Sequence, residues 1–251
     1  MQGQGQQRSK QKSVEPMPAT DDEIREKYLE RAIRELNALT RELQSCRHCP
    51  RGNLMPVLGS GHPQADVFLL KYAPTASEIE EGVAFYGRSG TALMKSLKRL
   101  EIDPLAVYGT LCVKCPVADP TLADPACVAR VLDELAIVQP KMVVVMGEEA
   151  LAALNDLHVP LARTVTAEPG VVQPKIVVVM GDDALATLND LDVPLAKPVA
   201  PGPGAIQSFT PACEALVVPN IDEALDEEAA KRAFWSAFRV LGEWYAELPP
   251  Y

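Results

Sequence analysis

Short apolar runs alternate along the chain with segments in which apolar residues recur at helical spacing. The continuous, β-branched runs are typical of strands buried on both faces of a parallel sheet. They lie at Ala65–Leu70, Val107–Val113, Met142–Met146, Ile176–Met180 and Ala215–Val218. The helical patterns lie at Thr91–Leu100, Ala126–Val138, Glu148–Leu157, Asp182–Leu191 and Asp222–Leu241. This alternation predicts an α/β fold, a three-layer αβα sandwich with a central parallel sheet of four to five strands.

The first helix is predicted to begin at a capping box formed by Thr20 and Glu23, in which each side chain accepts a hydrogen bond from the other residue's backbone. An apolar stripe follows and is expected to face the core. Its members are Ile24, Tyr28, Ala32, Leu36, Leu39 and Leu43. The preceding residues 1–19 are polar and predict a disordered tail, which leaves residues 20–251 as one domain.

Residues 138–171 and 172–205 are two copies of one segment, identical at 23 of 34 positions. Each copy contains one predicted strand, one predicted helix and a proline-containing loop. Two copies are too few for a solenoid, which needs about three or more units to bury a continuous core. We therefore predict a tandem duplication that adds a β–α unit to the sheet. The alternative is that one copy packs poorly.

Charge and composition narrow the class of protein. A hydrophobic content of 47% excludes wholesale disorder. The net charge of -10 excludes a generally basic nucleic-acid coat protein, but residues 1–115 carry +2 and residues 116–251 carry -12, so local DNA contact stays open. No membrane span and no secretory signal is evident, so we expect a cytoplasmic protein with reduced cysteines.

Two C-x-x-C pairs are candidate metal ligands. Cys46 and Cys49 follow the first helix. Cys112 lies inside the second predicted strand, Cys115 follows that strand, and Cys127 comes twelve residues after Cys115. The gap between the pairs is far longer than the 15–20 residues of a zinc ribbon. Thiolates can still converge in space, as zinc and iron–sulfur sites both require, and the spacing does not choose between these metals.

Six segments resemble, in order, those of the uracil-DNA glycosylase superfamily, specifically the family 4 type that carries a [4Fe–4S] cluster. They are CRHC at Cys46–Cys49, VLGSG at Val57–Gly61, ADVFLL at Ala65–Leu70, AFYGRSG at Ala84–Gly90, VYGTLCVKC at Val107–Cys115 and QPKMVVVMGEEAL at Gln139–Leu151. The glycine-rich turn followed by a strand ending in VKC is a specific combination, whereas a lone C-x-x-C is not. The resemblance implies a sandwich of the uracil-DNA glycosylase type.

The resemblance also implies the ligands of the cluster. Family members use the first C-x-x-C, the Cys of the KC pair and one Cys further downstream. Carried over, the ligands are Cys46, Cys49, Cys115 and Cys127. Cys112 is then a core residue, and the isolated Cys213 is expected to be inert. We expect a [4Fe–4S] cluster, with zinc as the runner-up.

The aromatic residue that stacks on a flipped uracil in the family corresponds to Phe85. The turn Gly87–Arg88–Ser89–Gly90 follows it and opens a helix, so its backbone N–H groups are expected to meet a phosphate or the pyrimidine. Basic residues that would extend this DNA surface are Arg88, Lys95, Lys98, Arg99 and Lys114. The alternatives are a plain core phenylalanine and a solvated helix face.

Three groups with which the family excises uracil are replaced. The family's GEAPG turn contains an acidic catalytic residue, for which this chain has Tyr72, and its uracil-reading Asn is replaced by Leu111. Glu78 matches a second acidic residue of the motif and is a candidate to orient a water. The alternative is an exposed glutamate at a helix start.

The family's C-terminal HPS loop supplies a His that stabilises the departing uracil. The corresponding segment here, Leu216–Leu225, contains no His, and Asn220 offers one hydrogen bond beside the repulsive Asp222. The three histidines of the chain are elsewhere, at His48, His62 and His158. Each lost group is worth on the order of 10²–10³ in rate.

These replacements favour a divergent glycosylase-like protein that binds DNA, is related to base-excision repair and has weak or no uracil excision. One alternative is an active DNA glycosylase, a hydrolase of N-glycosyl bonds, with altered base specificity and Glu78 at its centre. Another is a non-enzymatic metalloprotein that binds a protein partner through its acidic C-terminal half, which includes Asp222–Glu228.

Overall fold

The computed structural model of the chain describes residues 20–157, 174–202 and 204–248. Within these ranges one sheet contains β1 (Ser60–Gly61), β2 (Val67–Lys71), β3 (Val107–Leu111), β4 (Met142–Met146), β5 (Ile176–Met180), β6 (Ile206–Thr210) and β7 (Cys213–Val218). The α-helices are α1 (Asp21–Ser45), α2 (Ala76–Glu81), α3 (Arg88–Arg99), α4 (Pro125–Val138), α5 (Glu148–Asp156), α6 (Asp183–Asn189), α7 (Ile221–Asp226) and α8 (Glu228–Ala246). The predicted tail, residues 1–19, lies outside the described residues. None of the described helices is long and apolar enough to cross a membrane.

The strand order of the sheet is β1-β3-β2-β4-β5-β7-β6. Its five central strands run parallel, and the edge strands β1 and β6 are antiparallel to their neighbours. One face packs on α4, α5 and α6 through Val131, Leu151 and Leu188, and the other packs on α3 and α8 through Leu97 and Phe238. The predicted three-layer sandwich is confirmed. The edge strands were not predicted because neither is a continuous apolar run.

The duplicated segment forms two neighbouring strands in the interior of the sheet. β4 and β5 pair in parallel with an offset of 34 residues at every paired position, which is the length of one copy. β5 pairs with β7 in the same parallel arrangement in which β4 pairs with β5. The Lys175 N–H donates to the Lys141 carbonyl at 2.7 Å, and the Glu214 N–H donates to the Lys175 carbonyl at 2.9 Å. The second copy is thus an additional β–α unit translated by one strand.

Helix α1 begins at the predicted capping box, and both of its hydrogen bonds are present. The prediction that the whole apolar stripe faces the core is wrong for its first turns, since Ile24 and Tyr28 are 41% and 60% exposed. Beyond these turns the stripe is buried at Ala32, Leu39 and Leu43 and half-buried at Leu36. The reason is that α4 meets the C-terminal part of α1, where the Arg130 guanidinium lies 3.4 Å from the Glu42 carboxylate.

The segment Asp222–Leu241 was predicted as one helix and forms two. The chain is extended at Glu227 (φ -119°, ψ 126°), which separates α7 from α8. No glycine or proline marks this break. It coincides with a long-range contact, in which the Arg88 guanidinium donates to the carbonyl of Leu225 at 3.0 Å. Tertiary contact therefore accompanies a break that local pattern does not indicate.

Candidate functional site

Three of the four predicted cysteine ligands converge at one place. The Sγ atoms of Cys49, Cys115 and Cys127 lie within 4.8 Å of one another, and all three residues are buried. They come from the loop after α1, the loop after β3 and the first turn of α4. Cys46 follows α1 directly, is partly exposed and is not a member of this group. The fold thus assembles a cluster of thiols from distant parts of the chain.

The loops that carry these thiols are held by backbone and side-chain hydrogen bonds. The Asp124 N–H donates to the Cys49 sulfur at 3.4 Å, while the Asp124 carboxylate caps α4 by accepting from the Ala126 N–H at 2.8 Å. The buried Arg51 guanidinium donates to the carbonyl of Cys46 at 2.9 Å. These bonds fix the C-x-x-C loop against the start of α4.

The chemistry of the thiols suits a soft metal. The neighbouring Cys115 thiol, whose sulfur lies 3.8 Å away, lowers the pKa of Cys127 to about 5, and the same pairing raises the pKa of Cys115. Metals bind thiolates rather than thiols, and buried clustered thiolates are typical ligands of zinc and of iron–sulfur clusters. In contrast, burial raises the pKa of Cys112 and of Cys213 to about 12, and each packs in the main core. The triad therefore fits a metal, and Cys112 is a core residue.

We expect the variant Cys115→Ala to retain less metal than the unaltered chain, because it removes one of the three clustered thiols. Cys213→Ala removes an equally buried cysteine outside the cluster and should keep the metal. The measurement is iron, sulfide and zinc per chain on protein purified without oxygen. Equal metal content in the two variants would contradict a site at these cysteines.

Lys114 does not belong to a DNA surface, and that prediction is wrong. Its side chain is fully buried, its ammonium lies 2.8 Å from the Glu134 carboxylate, and it donates to the Leu111 carbonyl at 2.6 Å. Glu134 also accepts from Tyr108 and Thr110. The pattern of apolar and polar residues around β3 could not reveal that Lys114 is buried, because its partner Glu134 comes from α4. Lys114 instead links β3 to the helix that carries Cys127.

Glu78 is buried, so the alternative of an exposed helix-start glutamate is wrong. Its carboxylate accepts four hydrogen bonds, from the Lys71 ammonium at 2.5 Å, from the Thr75 N–H and hydroxyl at 2.7 and 3.0 Å, and from the Phe85 N–H at 2.6 Å. Sequence reasoning did not assign Lys71 a role, although a lysine ending an apolar strand seven residues before a glutamate was a visible signal. Glu78 holds the start of α2 and the turn at Phe85 together.

Phe85 sits at a turn that depends on two glycines. Its backbone has a φ of 63°, a conformation that few non-glycine residues adopt. A Cβ at Gly90 would lie 1.8 Å from the Phe85 carbonyl oxygen, and one at Gly109 would lie 2.6 Å from the Phe85 ring. The Lys71 ammonium lies 5.7 Å from the ring centroid. The turn therefore presses Phe85 against the carboxyl half of β3.

Leu111, which replaces the family's uracil-reading Asn, adds apolar surface beside Phe85. Leu111 is fully buried in a cluster with Val57 and Ala84, and Phe85 packs against that cluster. Burial and nearby carboxylates raise the pKa of Tyr72, so its phenol stays protonated at neutral pH and cannot act as a base. The site offers neither a side-chain amide at Leu111 nor a carboxylate at Tyr72.

The acidic helix α7 covers the basic end of the glycine-rich turn. The Arg88 guanidinium lies 2.6 Å from the Asp226 carboxylate, and the Ser89 hydroxyl donates to Asp222. Asn220 accepts from the Asp222 N–H at 2.9 Å and so caps α7. Two of the predicted DNA-contacting residues are thus already paired within the chain.

The described histidines lie away from Phe85. His62 lies at the amino end of β3, where its N–H donates to the Val107 carbonyl at 3.1 Å. His48 belongs to the cysteine loop, with its Nδ1 3.9 Å from the Asp124 carboxylate. His158 lies outside the described residues. The described part of the chain therefore places no imidazole where the family's leaving-group His is expected.

The motif order and the sheet agree with comparisons to known proteins. Residues 58–172 match the sequence model of the Uracil DNA glycosylase superfamily. The Type-4 uracil-DNA glycosylase of Pyrobaculum aerophilum is 30% identical over 133 residues, which cover 49% of this chain and 66% of that protein. The Type-4 enzyme of Sulfurisphaera tokodaii is 30% identical over 126 residues, covering 46% and 56%. That of Archaeoglobus fulgidus is 27% identical over 132 residues, covering 49% and 64%.

The matched part of the chain spans less than two thirds of the length of these curated relatives. It contains β2, β3 and β4, the turn at Phe85 and two of the three clustered cysteines. The resemblance inferred from the six sequence segments is confirmed, and residues 58–172 have the sequence pattern of the uracil-DNA glycosylase superfamily.

Proposed function

We propose that this chain is a DNA-binding iron–sulfur protein related to base-excision repair, with weak or no uracil excision. The observation that carries the proposal is the surroundings of Phe85. The turn that presents the aromatic ring is intact. Leu111 and Tyr72, in contrast, replace the polar groups that would read the uracil base and catalyse its excision. Binding of an extruded base needs the aromatic ring, and hydrolysis of its N-glycosyl bond needs the polar groups.

The proposed cofactor is a [4Fe–4S] cluster on Cys46, Cys49, Cys115 and Cys127, with zinc as the runner-up. The buried triad supports a metal at this place, and Cys46 belongs to the same loop as Cys49. When bound, such a cluster supplies covalent links between the end of α1, the loop after β3 and the start of α4. Its expected role is to hold these parts together rather than to act on the base.

Excision is tested with labelled oligonucleotides that contain uracil, hypoxanthine or xanthine, incubated with excess protein and then cleaved at abasic sites with alkali. We expect no cleavage of the uracil strand above the background of heat-inactivated protein. Robust turnover would contradict the proposal. Turnover on hypoxanthine or xanthine that is lost in Glu78→Gln would support the alternative of an active glycosylase with altered specificity.

Binding is tested with the same oligonucleotides by fluorescence anisotropy. The variant Phe85→Leu should bind an oligonucleotide with an extruded base about 5- to 150-fold more weakly, because base–aromatic stacking is worth about 1–3 kcal/mol. Phe209→Leu is a matched control, since Phe209 is a buried core residue on β6. Equal affinity in both variants would contradict stacking on Phe85.

Removing the acid that faces the turn should strengthen DNA binding. In Asp222→Asn/Asp226→Asn, the Arg88 guanidinium is released from an exposed ion pair that itself contributes at most about 1 kcal/mol. We expect higher affinity at low salt and a slope of log affinity against log salt that is steeper by about 1, because Arg88 gains one phosphate contact. Glu223→Gln/Glu227→Gln removes the same charge from α7 and its C-cap. Neither side chain forms an ion pair with the turn among the described residues, so the slope should stay unchanged.

A further inference from the structure

A groove of about 500 Å³ lies on the outer side of the turn at Phe85. Its walls include Tyr86 of the turn, Met94, Lys95 and Lys98 of α3, and Pro104 of the short 3-10 helix that precedes β3. Phe85 itself lines the groove, so the groove borders the residue on which an extruded base is proposed to stack. Any nucleotide held here would be adjacent to that base.

The charge of the groove favours an anion. Lys95 and Lys98 are exposed, and neither forms an ion pair with any of the described residues. Residues three apart on a helix share one face, so both ammonium groups border the same groove. No Asp or Glu of the described ranges lines it. This differs from the neighbouring Arg88, which Asp226 neutralises.

The groove also offers an aromatic ring to its occupant. Tyr86 is 52% exposed, although a large aromatic side chain ordinarily gains by burial. Met94 and Pro104 add apolar surface beside it. A ligand with a planar aromatic part and neighbouring negative charges matches these walls. Stacked bases inside a duplex hide their faces, so only an unpaired base can stack on Tyr86.

We propose that this groove binds single-stranded DNA beside the nucleotide whose base stacks on Phe85. Tyr86 stacks on the neighbouring base, and Lys95 and Lys98 bind the phosphates that flank it. The proposal rests on the proposed function and deepens it, because it makes locally unpaired DNA the preferred ligand and assigns the residues that select it. α7 covers a different part of the turn, so the groove is accessible while Arg88 is paired.

The experiment compares the affinity of the full chain for a labelled thymidine 12-mer with its affinity for a 12-base-pair duplex, at several salt concentrations. We expect the single strand to bind more tightly. Tyr86→Ala should weaken its binding about 5- to 150-fold. Tyr28→Ala, which removes an exposed tyrosine that lies on α1 and not in the groove, should not weaken it. Lys95→Gln/Lys98→Gln should make the salt slope shallower by about 1.4, since each phosphate contact on a single strand contributes about 0.7. Lys27→Gln/Lys197→Gln carries the same charge change away from the groove and should leave the slope unchanged.

The outcomes separate the groove from the proposed function. DNA binding by the unaltered protein with no difference between groove variants and their controls overturns the groove and leaves DNA binding standing. Duplex binding as tight as single-strand binding also overturns it. No DNA binding by any form of the protein overturns both. Circular dichroism of each variant shows whether it retains the fold of the unaltered chain.

Discussion

Replacing Glu134 by leucine should lower the free energy of unfolding by about 3–5 kcal/mol, the range observed when one partner of a buried ion pair is removed. Glu134 and Lys114 are both almost fully buried, and their charged atoms lie 2.8 Å apart. In Glu134→Leu the Lys114 ammonium keeps, among the described residues, only the Leu111 carbonyl as a partner. An uncompensated charge in the interior is the dominant cost. Urea unfolding followed by circular dichroism measures it.

The carboxylate also satisfies two hydroxyl groups that would lose their acceptor. Tyr108 donates to Glu134 at 3.1 Å, and Thr110 donates at 2.9 Å to the oxygen that faces Lys114. Burial and the adjacent Glu134 raise the pKa of Tyr108, so its hydroxyl keeps its proton and needs an acceptor. The network therefore joins α4 to β3 through Tyr108 and Thr110, and to the loop after β3 through Lys114. Loosening α4 should also reduce metal retention, because α4 carries Cys127.

Two further variants make this prediction specific. Lys114→Met/Glu134→Leu removes both charges and should recover most of the lost stability, since an apolar pair of similar volume replaces the buried ions. Glu42→Leu removes the exposed partner of Arg130, which lies on α4 like Glu134. It should cost at most about 1 kcal/mol of unfolding free energy. A double variant as unstable as Glu134→Leu would mean that lost packing and the hydroxyl groups of Tyr108 and Thr110 left without their acceptor, not the unpaired Lys114, cause the destabilisation.

The interior strands were predictable because each is a continuous run of apolar residues long enough to indicate a buried strand. β4 and β5 were predicted with their observed bounds, Met142–Met146 and Ile176–Met180. The edge strand β1 is only Ser60–Gly61, which has no pattern to detect. Its pairing with β3 depends on residues almost fifty positions away. Periodicity therefore identifies the parallel interior of a sheet and misses its short edges.

The candidate site shows the same division between local and distant causes. The convergence of Cys49, Cys115 and Cys127 could be expected from the family resemblance, because motif order implies the fold. The pairing of Ser89 with Asp222 could not, since it joins residues 133 positions apart and depends on the break after α7. The burial of Lys114 is of the same kind. Charge read along the sequence does not reveal which charges the fold neutralises.

Removing one copy of the duplicated segment should leave a folded protein. The deletion of residues 155–188 joins Leu154 to Asn189, a junction that both copies already contain. β4 would then pair with β7 as β5 does now. The contacts at the carboxyl ends of the strands are equivalent: the Gly147 N–H donates to the Met180 carbonyl at 3.2 Å, and the Gly181 N–H donates to the Val218 carbonyl at 3.0 Å. At the amino ends, Lys175 and Glu214 donate to equivalent carbonyl groups, those of Lys141 and Lys175.

The shortened sheet keeps four parallel strands and the edge strands, and the cysteine cluster lies on the far side of β2 from the deletion. We expect cooperative thermal unfolding, unchanged metal content and a somewhat lower Tm, because a smaller domain buries a smaller fraction of its surface. Deleting residues 107–140, also 34 positions long, removes β3 and α4, for which the chain has no second copy, and should abolish cooperative unfolding. In the protein that lacks residues 155–188, β7 would move by one strand spacing, about 4.8 Å, toward β2. α7 follows β7 directly, so this shift should break the contacts of Asp222 and Asp226 with the turn and raise DNA affinity as their substitution does. Loss of cooperative unfolding on removing 155–188 would mean that the second copy is required for the fold rather than added to it.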